Sequence, residues 1–182
     1  IIWAHFKIMN QDLRKKIIDI VKKAKEGHIP SSFSIVDILD YLYGNVINYS
    51  KKNPHKQDRD FFYLSKGHAS VALFVVLNKY NLLTDNELLS YGSLNSNLGG
   101  HPDMTKLKFV EASTGSLGHG FPTAIGTALG LKIKKIQSKV FVLVGDGECH
   151  EGTIWESANI ASNNMLNNIC AIVDWNKSAS QL

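Results

Sequence analysis

Residues 140–178, VFVLVGDGECHEGTIWESANIASNNMLNNICAIVDWNKS, decide how this 182-residue chain is read. An apolar run rich in β-branched residues stops at Gly145-Asp146-Gly147. A helix-like segment follows, and a second apolar run, Ile169 to Val173, stops at Asp174-Trp175-Asn176. Two buried-type strands joined by one helix form a βαβ unit. Each delivers a small oxygen-bearing side chain at its carboxyl end, the edge at which open α/β sheets bind ligands. Asp146 brings a carboxylate and Asn176 an amide oxygen. Hard oxygen ligands suit Mg2+ or Ca2+, and a few protein ligands completed by phosphate oxygens is the habit of Mg2+. The glycines flanking Asp146 permit a sharp turn whose N–H groups face an anion. The pattern predicts a magnesium-diphosphate site. Taken singly, Asp146 also reads as a turn aspartate and Asn176 as a turn asparagine; their matched placement after consecutive strands is the stronger signal.

Working outward, residues 11–26 carry Leu13, Ile17, Ile20 or Val21, and Ala24 on one face, an amphipathic helix closed by Gly27. Ser34 is placed to cap a second helix running through Val46. Residues 48–60 are polar and read as a surface connection, and FFYLS at 61–65 as a short buried strand. An apolar helix follows from His68 to Tyr80, and Thr84-x-x-Glu87 has the form of a capping box. Residues 92–118 are a long glycine-rich loop, a feature that in compact domains is usually functional. Gly120 to Lys135 reads as a helix with Pro122 in its first turn. Strands alternating with helices, with no repeat and no boundary signal, give an α/β class: one domain over 1–182, its mostly parallel sheet flanked by helices on both faces.

Composition narrows the function. Hydrophobic residues make up 44% and charged residues 20%, the balance of a globular protein. No apolar run approaches the roughly 20 residues of a membrane span. The opening IIWAHFKIMN lacks the basic flank and cleavage site of a signal peptide, and it lacks an initiator Met, which points to trimming or an incomplete chain. Two cysteines, Cys149 and Cys170, make no disulfide framework, so the expected location is cytoplasmic. The net charge of +4 is mostly lysine, with Arg14 and Arg59 the only arginines. That is a solvated surface rather than a nucleic-acid interface.

Four loops converge on the same sheet edge in this topology: Gly27-His28, Lys66-Gly67-His68, Gly99-Gly100-His101-Pro102, and Thr114 to Gly120. Of the seven histidines, four directly follow a glycine. Glycine permits close backbone approach to a ligand, and imidazole hydrogen-bonds anionic or hydroxylated groups near neutral pH. One such pair alone is an ordinary turn with an exposed histidine. A glycine-rich loop feeding a helix N-terminus is a common phosphate cradle. A dinucleotide fingerprint is unsupported, because Gly118-His119-Gly120 follows no strand and Gly145-Asp146-Gly147 lacks the third glycine.

The ordered set GHIPSSFSIVDIL, LSKGHASVALF, GGHPD, STGSLGHGFPTAIGTALG and GDGECHEGTIWESANIA, followed by DWN, resembles the amino-terminal half of a transketolase. It is most similar to the split forms, in which this half is a separate polypeptide, and the likeness covers roughly residues 11–182. The resemblance implies a thiamine-diphosphate-binding fold and the cofactors thiamine diphosphate and Mg2+, with Ca2+ as a substitute. Asp146, Asn176 and the backbone carbonyl of Ser178 match the metal ligands, and Asn176 also matches a cofactor contact. Gly147 matches an N–H donor to the diphosphate, and His68 a histidine on cofactor phosphate. Gly115, Ser116 and Leu117 match the backbone segment that holds the aminopyrimidine.

The resemblance also gives His28 and His101 a catalytic place. They match histidines lining the substrate channel that bond donor-ketose hydroxyls and assist proton movement. Glu151 matches an acidic residue near the subunit interface that links two active sites; by itself it also reads as a first-turn glutamate favouring the helix dipole.

The implied activity moves a two-carbon ketol unit from a ketose phosphate to an aldose through a thiamine-diphosphate carbanion. The implied partner is a carboxy-terminal transketolase half, in a homodimer or a dimer of heterodimers. Departures are His119, where many long forms have glutamine, and Ile29-Pro30-Ser31-Ser32, where they are Pro-Gly-rich. The chain stops at Leu182, truncated relative to the family, without the second half that ionises the cofactor, so alone it is expected to be inactive. A deoxyxylulose-phosphate synthase, which takes pyruvate and releases carbon dioxide, and an inactive cofactor-binding domain are the alternatives.

Overall fold

The computed structural model describes residues 10–50, 56 and 58–178. Three strands form one parallel sheet in the order β1 (Phe61–Leu64), β2 (Val140–Gly145), β3 (Ile169–Asp174). Phe61 pairs with Val140 at one end of the first ladder, and Gly145 with Asp174 at the carboxyl end of the second. All three strands therefore point their tips at the same edge.

Alternation along the strands divides the core into two layers. Phe62, Leu64, Phe141 and Leu143 face α1 (Gln11–Ala24), α2 (Ile29–Asn45), α3 (Ser70–Lys79) and α4 (Asp85–Leu89). Tyr63, Val140, Val142 and Val144 face α5 (Gly120–Ile133) and α6 (Gly152–Asn163). Helices thus cover both faces, as alternating strands and helices predict. Every residue of α3 from Ser70 to Asn78 is buried, which suits a helix apolar on all sides and wrapped by its neighbours. No helix among the described residues is long and apolar enough to cross a membrane.

Several local expectations are met. Thr84 and Glu87 form a reciprocal capping box at α4, and residues 92–118 contain no helix or strand. The polar connection at 48–60 falls partly outside the described residues. Arg59 at its end forks onto Glu111 at 2.5 and 2.9 Å, which ties the entry to β1 to the long loop.

Four expectations are corrected. α1 is closed by Lys25 in the left-handed conformation at φ 57, ahead of Gly27 at φ 127. α2 begins at Ile29 with Pro30 in its first turn, so Ser34 is not its cap but lies inside the helix. Pro30 was the available signal, since proline's fixed φ suits the first turn. β3 is not a buried strand: Cys170, Ala171 and Val173 are exposed, because among the described residues it is paired on one side only. The apolar stretch from His68 also begins differently, as a 3-10 turn (Gly67–Ala69) before α3 proper.

Candidate active site at the strand tips

Asp146 follows β2 directly, and its backbone N–H donates to the Asp174 carbonyl at 3.1 Å, extending the ladder to the tip. Its carboxylate accepts from Gly147 N at 2.9 Å and from Lys177 N at 2.7 Å. Asn176 Oδ1 accepts from Ser178 N at 2.8 Å, an Asx turn. Lys177 sits between them in the left-handed region at φ 57, so the chain doubles back and successive N–H groups address the two side chains. The Asp146 carboxylate and the Asn176 amide oxygen therefore accept from two successive backbone N–H groups, those of Lys177 and Ser178.

Asp146 is half-buried and has no cationic side-chain partner among the described residues. A carboxylate so placed, beside an amide oxygen, is a donor set for a hard divalent cation. Among the described residues no three His, Cys, Asp or Glu side chains cluster into a metal site, in keeping with a set of one carboxylate, one amide and backbone oxygen. Ser178 is exposed on the same turn. Gly147 is placed as expected, but its N–H is taken by Asp146 and is not free for an anion.

The histidine loops meet beside this turn. The His28 and His68 rings pack edge to face at 5.5 Å. His101 lies against Gly115, where a Cβ would come within 2.8 Å of its ring, so this glycine gives the ring its place. His68 is half-buried, and burial, followed by the charges of Lys66, His28 and His101, pushes it down to about 4 from an ordinary 6.5. It is therefore a neutral imidazole at physiological pH. His28 and His101 are exposed and open to a ligand. Ser116 is exposed and Gly115 and Leu117 are half-buried, with the Leu117 carbonyl 3.0 Å from Nδ1 of exposed His119. Glu151 stands at the N-terminal boundary of α6, exposed and without a side-chain cap bond.

Close backbone contacts lock the loops together. A Cβ on Gly67 would lie 2.6 Å from the carbonyl of Thr114, and one on Gly120 2.6 Å from Ser65 Cα. Gly118, at φ 79, has room for no Cβ against Thr153, whose hydroxyl donates to the Gly118 carbonyl at 2.8 Å.

Three buried charged residues were given no role by the sequence reading. Glu148, 2% exposed, accepts from Ser65 Oγ at 2.5 Å, Gly118 N at 2.9 Å and Gly145 N at 3.1 Å, joining three of the loops. Lys66, 2% exposed, pairs with Asp174, 5% exposed, at 2.6 Å. Ser34, expected as a cap, instead donates to that Asp174 carboxylate at 2.7 Å. The acid directly after Gly145-Asp146-Gly147 was a usable hint for Glu148, because a turn with spare N–H groups invites a carboxylate.

Residues 6–180 match the family described as transketolase, thiamine diphosphate binding domain. One of the subunits of the apulose-4-phosphate transketolase from Phocaeicola vulgatus is 36% identical over 170 residues, 93% of this chain and 60% of that protein. A Rhodococcoides fascians protein named ferredoxin fas2 is 43% identical over 159 residues, 87% of this chain and 52% of that protein. The transketolase structure from Campylobacter jejuni superposes with a TM-score of 0.79 at 33% identity, covering 92% of this chain and 27% of that one. The chain thus spans 60% and 52% of the length of the two sequence relatives. With the tip geometry, the histidine loops and this match over nearly every residue, the chain belongs to the transketolase family, as its thiamine diphosphate-binding domain.

Proposed function

We propose that this chain is the cofactor-binding half of a transketolase and that, with a carboxy-terminal half, it transfers a two-carbon ketol unit from a ketose phosphate to an aldose. The observation that carries this reading is the Asp146 carboxylate, without a cationic side-chain partner among the described residues, bound to the same turn as the Asn176 amide oxygen through the successive N–H groups of Lys177 and Ser178, with His28, His68 and His101 clustered nearby. Asp146, Asn176 and the Ser178 carbonyl hold Mg2+, for which Ca2+ is a substitute. The Gly147 N–H turns to the diphosphate once the Asp146 carboxylate engages the cation. His68, neutral, hydrogen-bonds the diphosphate, and the Gly115-Ser116-Leu117 backbone seats the aminopyrimidine. When bound, thiamine diphosphate supplies the nucleophilic carbon that accepts the ketol unit. His28 and His101, both exposed, bond the donor hydroxyls and carry a proton.

The Phocaeicola relative is named as one part of a multi-subunit transketolase acting on a sugar phosphate, which supports an enzyme divided between polypeptides and a substrate of that class. We take the assembly as a dimer of heterodimers, with Glu151 near the contact between active sites, and the location as cytoplasmic. The described domain is one piece of that assembly. The deoxyxylulose-phosphate synthase alternative is not favoured by these relatives.

The test mixes the chain with a carboxy-terminal half, thiamine diphosphate, Mg2+, a ketose phosphate and an aldose. Ketol transfer that needs both halves and disappears in Asp146→Ala is expected. Pyruvate decarboxylation in place of ketol transfer refutes the reading.

A further inference from the structure

Asp174 takes no part in the chemistry proposed above, yet one of its carboxylate oxygens accepts three side-chain hydrogen bonds. Its Oδ2 receives Lys66 Nζ at 2.6 Å, Ser34 Oγ at 2.7 Å and Asn176 Nδ2 at 3.0 Å. These donors come from three separate parts of the chain: the loop after β1, the middle of α2, and the turn after β3 itself.

A carboxylate bonded to a lysine has no proton to give, so the end of the Asn176 amide that meets it must be the NH2 group. The Ser34 hydroxyl lies 3.4 Å from the same Nδ2 and reinforces that choice. The amide oxygen is thereby turned away from Asp174 and toward the turn that also binds the Asp146 carboxylate. With its ends exchanged, the amide would set oxygen against oxygen at Asp174 and offer a cation its NH2 group. Lys66, buried alongside, supplies the countercharge that a carboxylate under this turn requires.

We propose that Asp174, anchored by Lys66 and Ser34, is a positioning residue that holds the Asn176 amide with its oxygen toward the cation site. The proposal rests on Asp146 and Asn176 being cation ligands.

The test titrates Mn2+, in the presence of thiamine diphosphate, into the full chain assembled with a carboxy-terminal half, reading free Mn2+ by electron paramagnetic resonance. Asp174→Asn keeps the shape but can present an NH2 group to Asn176, which lets that amide turn its oxygen inward, and Mn2+ affinity is expected to fall about 10–100-fold, the usual cost of losing an outer-shell partner. Placing Asn176→Asp on that variant restores most of the affinity, because a carboxylate shows oxygen at both ends. The paired change Lys66→Met with Asp174→Leu removes both buried charges at once and avoids stranding either. It is expected to keep the thermal midpoint near wild type while still losing Mn2+ affinity. A folded paired variant that binds Mn2+ as tightly as wild type overturns the proposal, as does failure of Asn176→Asp to recover binding. Absence of Mn2+ uptake by the wild type removes the cation site and this inference together, whereas loss confined to the variants leaves the site standing.

Discussion

The strand-tip network and the histidine cluster lie side by side but are built by opposite rules. Glu148, Lys66 and Asp174 are nearly sealed from water, and each has its hydrogen-bonding partners inside the protein. His28 and His101 are exposed and are placed by a ring contact and a glycine, with no side-chain hydrogen bond shown for either among the described residues. Buried charges are tolerated only when fully paired, so the first region has little freedom to rearrange. The second region keeps its polar atoms free for a ligand. A stiff polar layer below and an open imidazole layer above is a division of labour that substitutions can separate.

The largest effect should come from breaking the sealed layer on one side only. Lys66→Met leaves the buried Asp174 charge unmatched, which costs about 3–5 kcal/mol. At roughly 2–4 °C per kcal/mol for a chain of this size, scanning calorimetry should show the midpoint falling by about 6–20 °C. A shift of a degree or two would mean that the layer is not sealed.

Next in size is the interlock between loops. Gly67→Ala drives a methyl against the Thr114 carbonyl, and overpacking of this kind costs about 1–3 kcal/mol. Gly99→Ala, with nothing within 4 Å of the new Cβ, should stay within about 0.5 kcal/mol. Urea unfolding of the two variants makes the contrast; equal losses would show that the loops are not in register.

The boundary between the layers is tested by pH. His68 titrates at about 4 when folded against 6.5 when free, so folding favours its neutral form. Above pH 6.5 the group contributes no pH dependence. As pH falls from 6.5 toward 4, the unfolded chain takes up a proton that the folded chain resists, and stability drops. His68→Gln should flatten the stability profile over that interval, and NMR of the ring protons should place the wild-type midpoint far below 6.5. A midpoint near 6.5 would move His68 into the open layer.

The smallest change in stability is expected in that open layer. His28→Asn and His101→Asn should unfold within about 0.5 kcal/mol of wild type. Ketol transfer by the assembled enzyme should nonetheless fall about 10^2–10^4-fold, the range for a lost acid–base group. Comparable losses of stability would show that these rings are scaffolding.

Sequence carried further at some of these places than at others. The placement of Asp146 and Asn176 was readable because a strand end fixes where the next residues go, and their two strands are neighbours in the sheet. The capping box at Thr84 was readable for the same reason, since both partners lie within one turn. Lys66 and Asp174 are 108 residues apart and Ser34 and Asp174 are 140 apart, so no local pattern announces their bonds. Ser34 misled because a serine before an apolar helical run is a normal cap, while the true start was marked by Pro30. The exposure of β3 was hidden for another reason: Ile169 to Val173 is as apolar as β2, and burial depends on what packs beside it rather than on its own residues.

The central claim is that two neighbouring strand tips present an aspartate and an asparagine to one cation. A crystal structure of the chain, assembled with a carboxy-terminal half and grown with Mg2+ and thiamine diphosphate, tests it most directly. The expected result is one Mg2+ at about 2.0–2.1 Å from both an Asp146 carboxylate oxygen and Asn176 Oδ1. A metal bound elsewhere with either residue turned away, or cofactor seated with no cation between these two side chains, contradicts it.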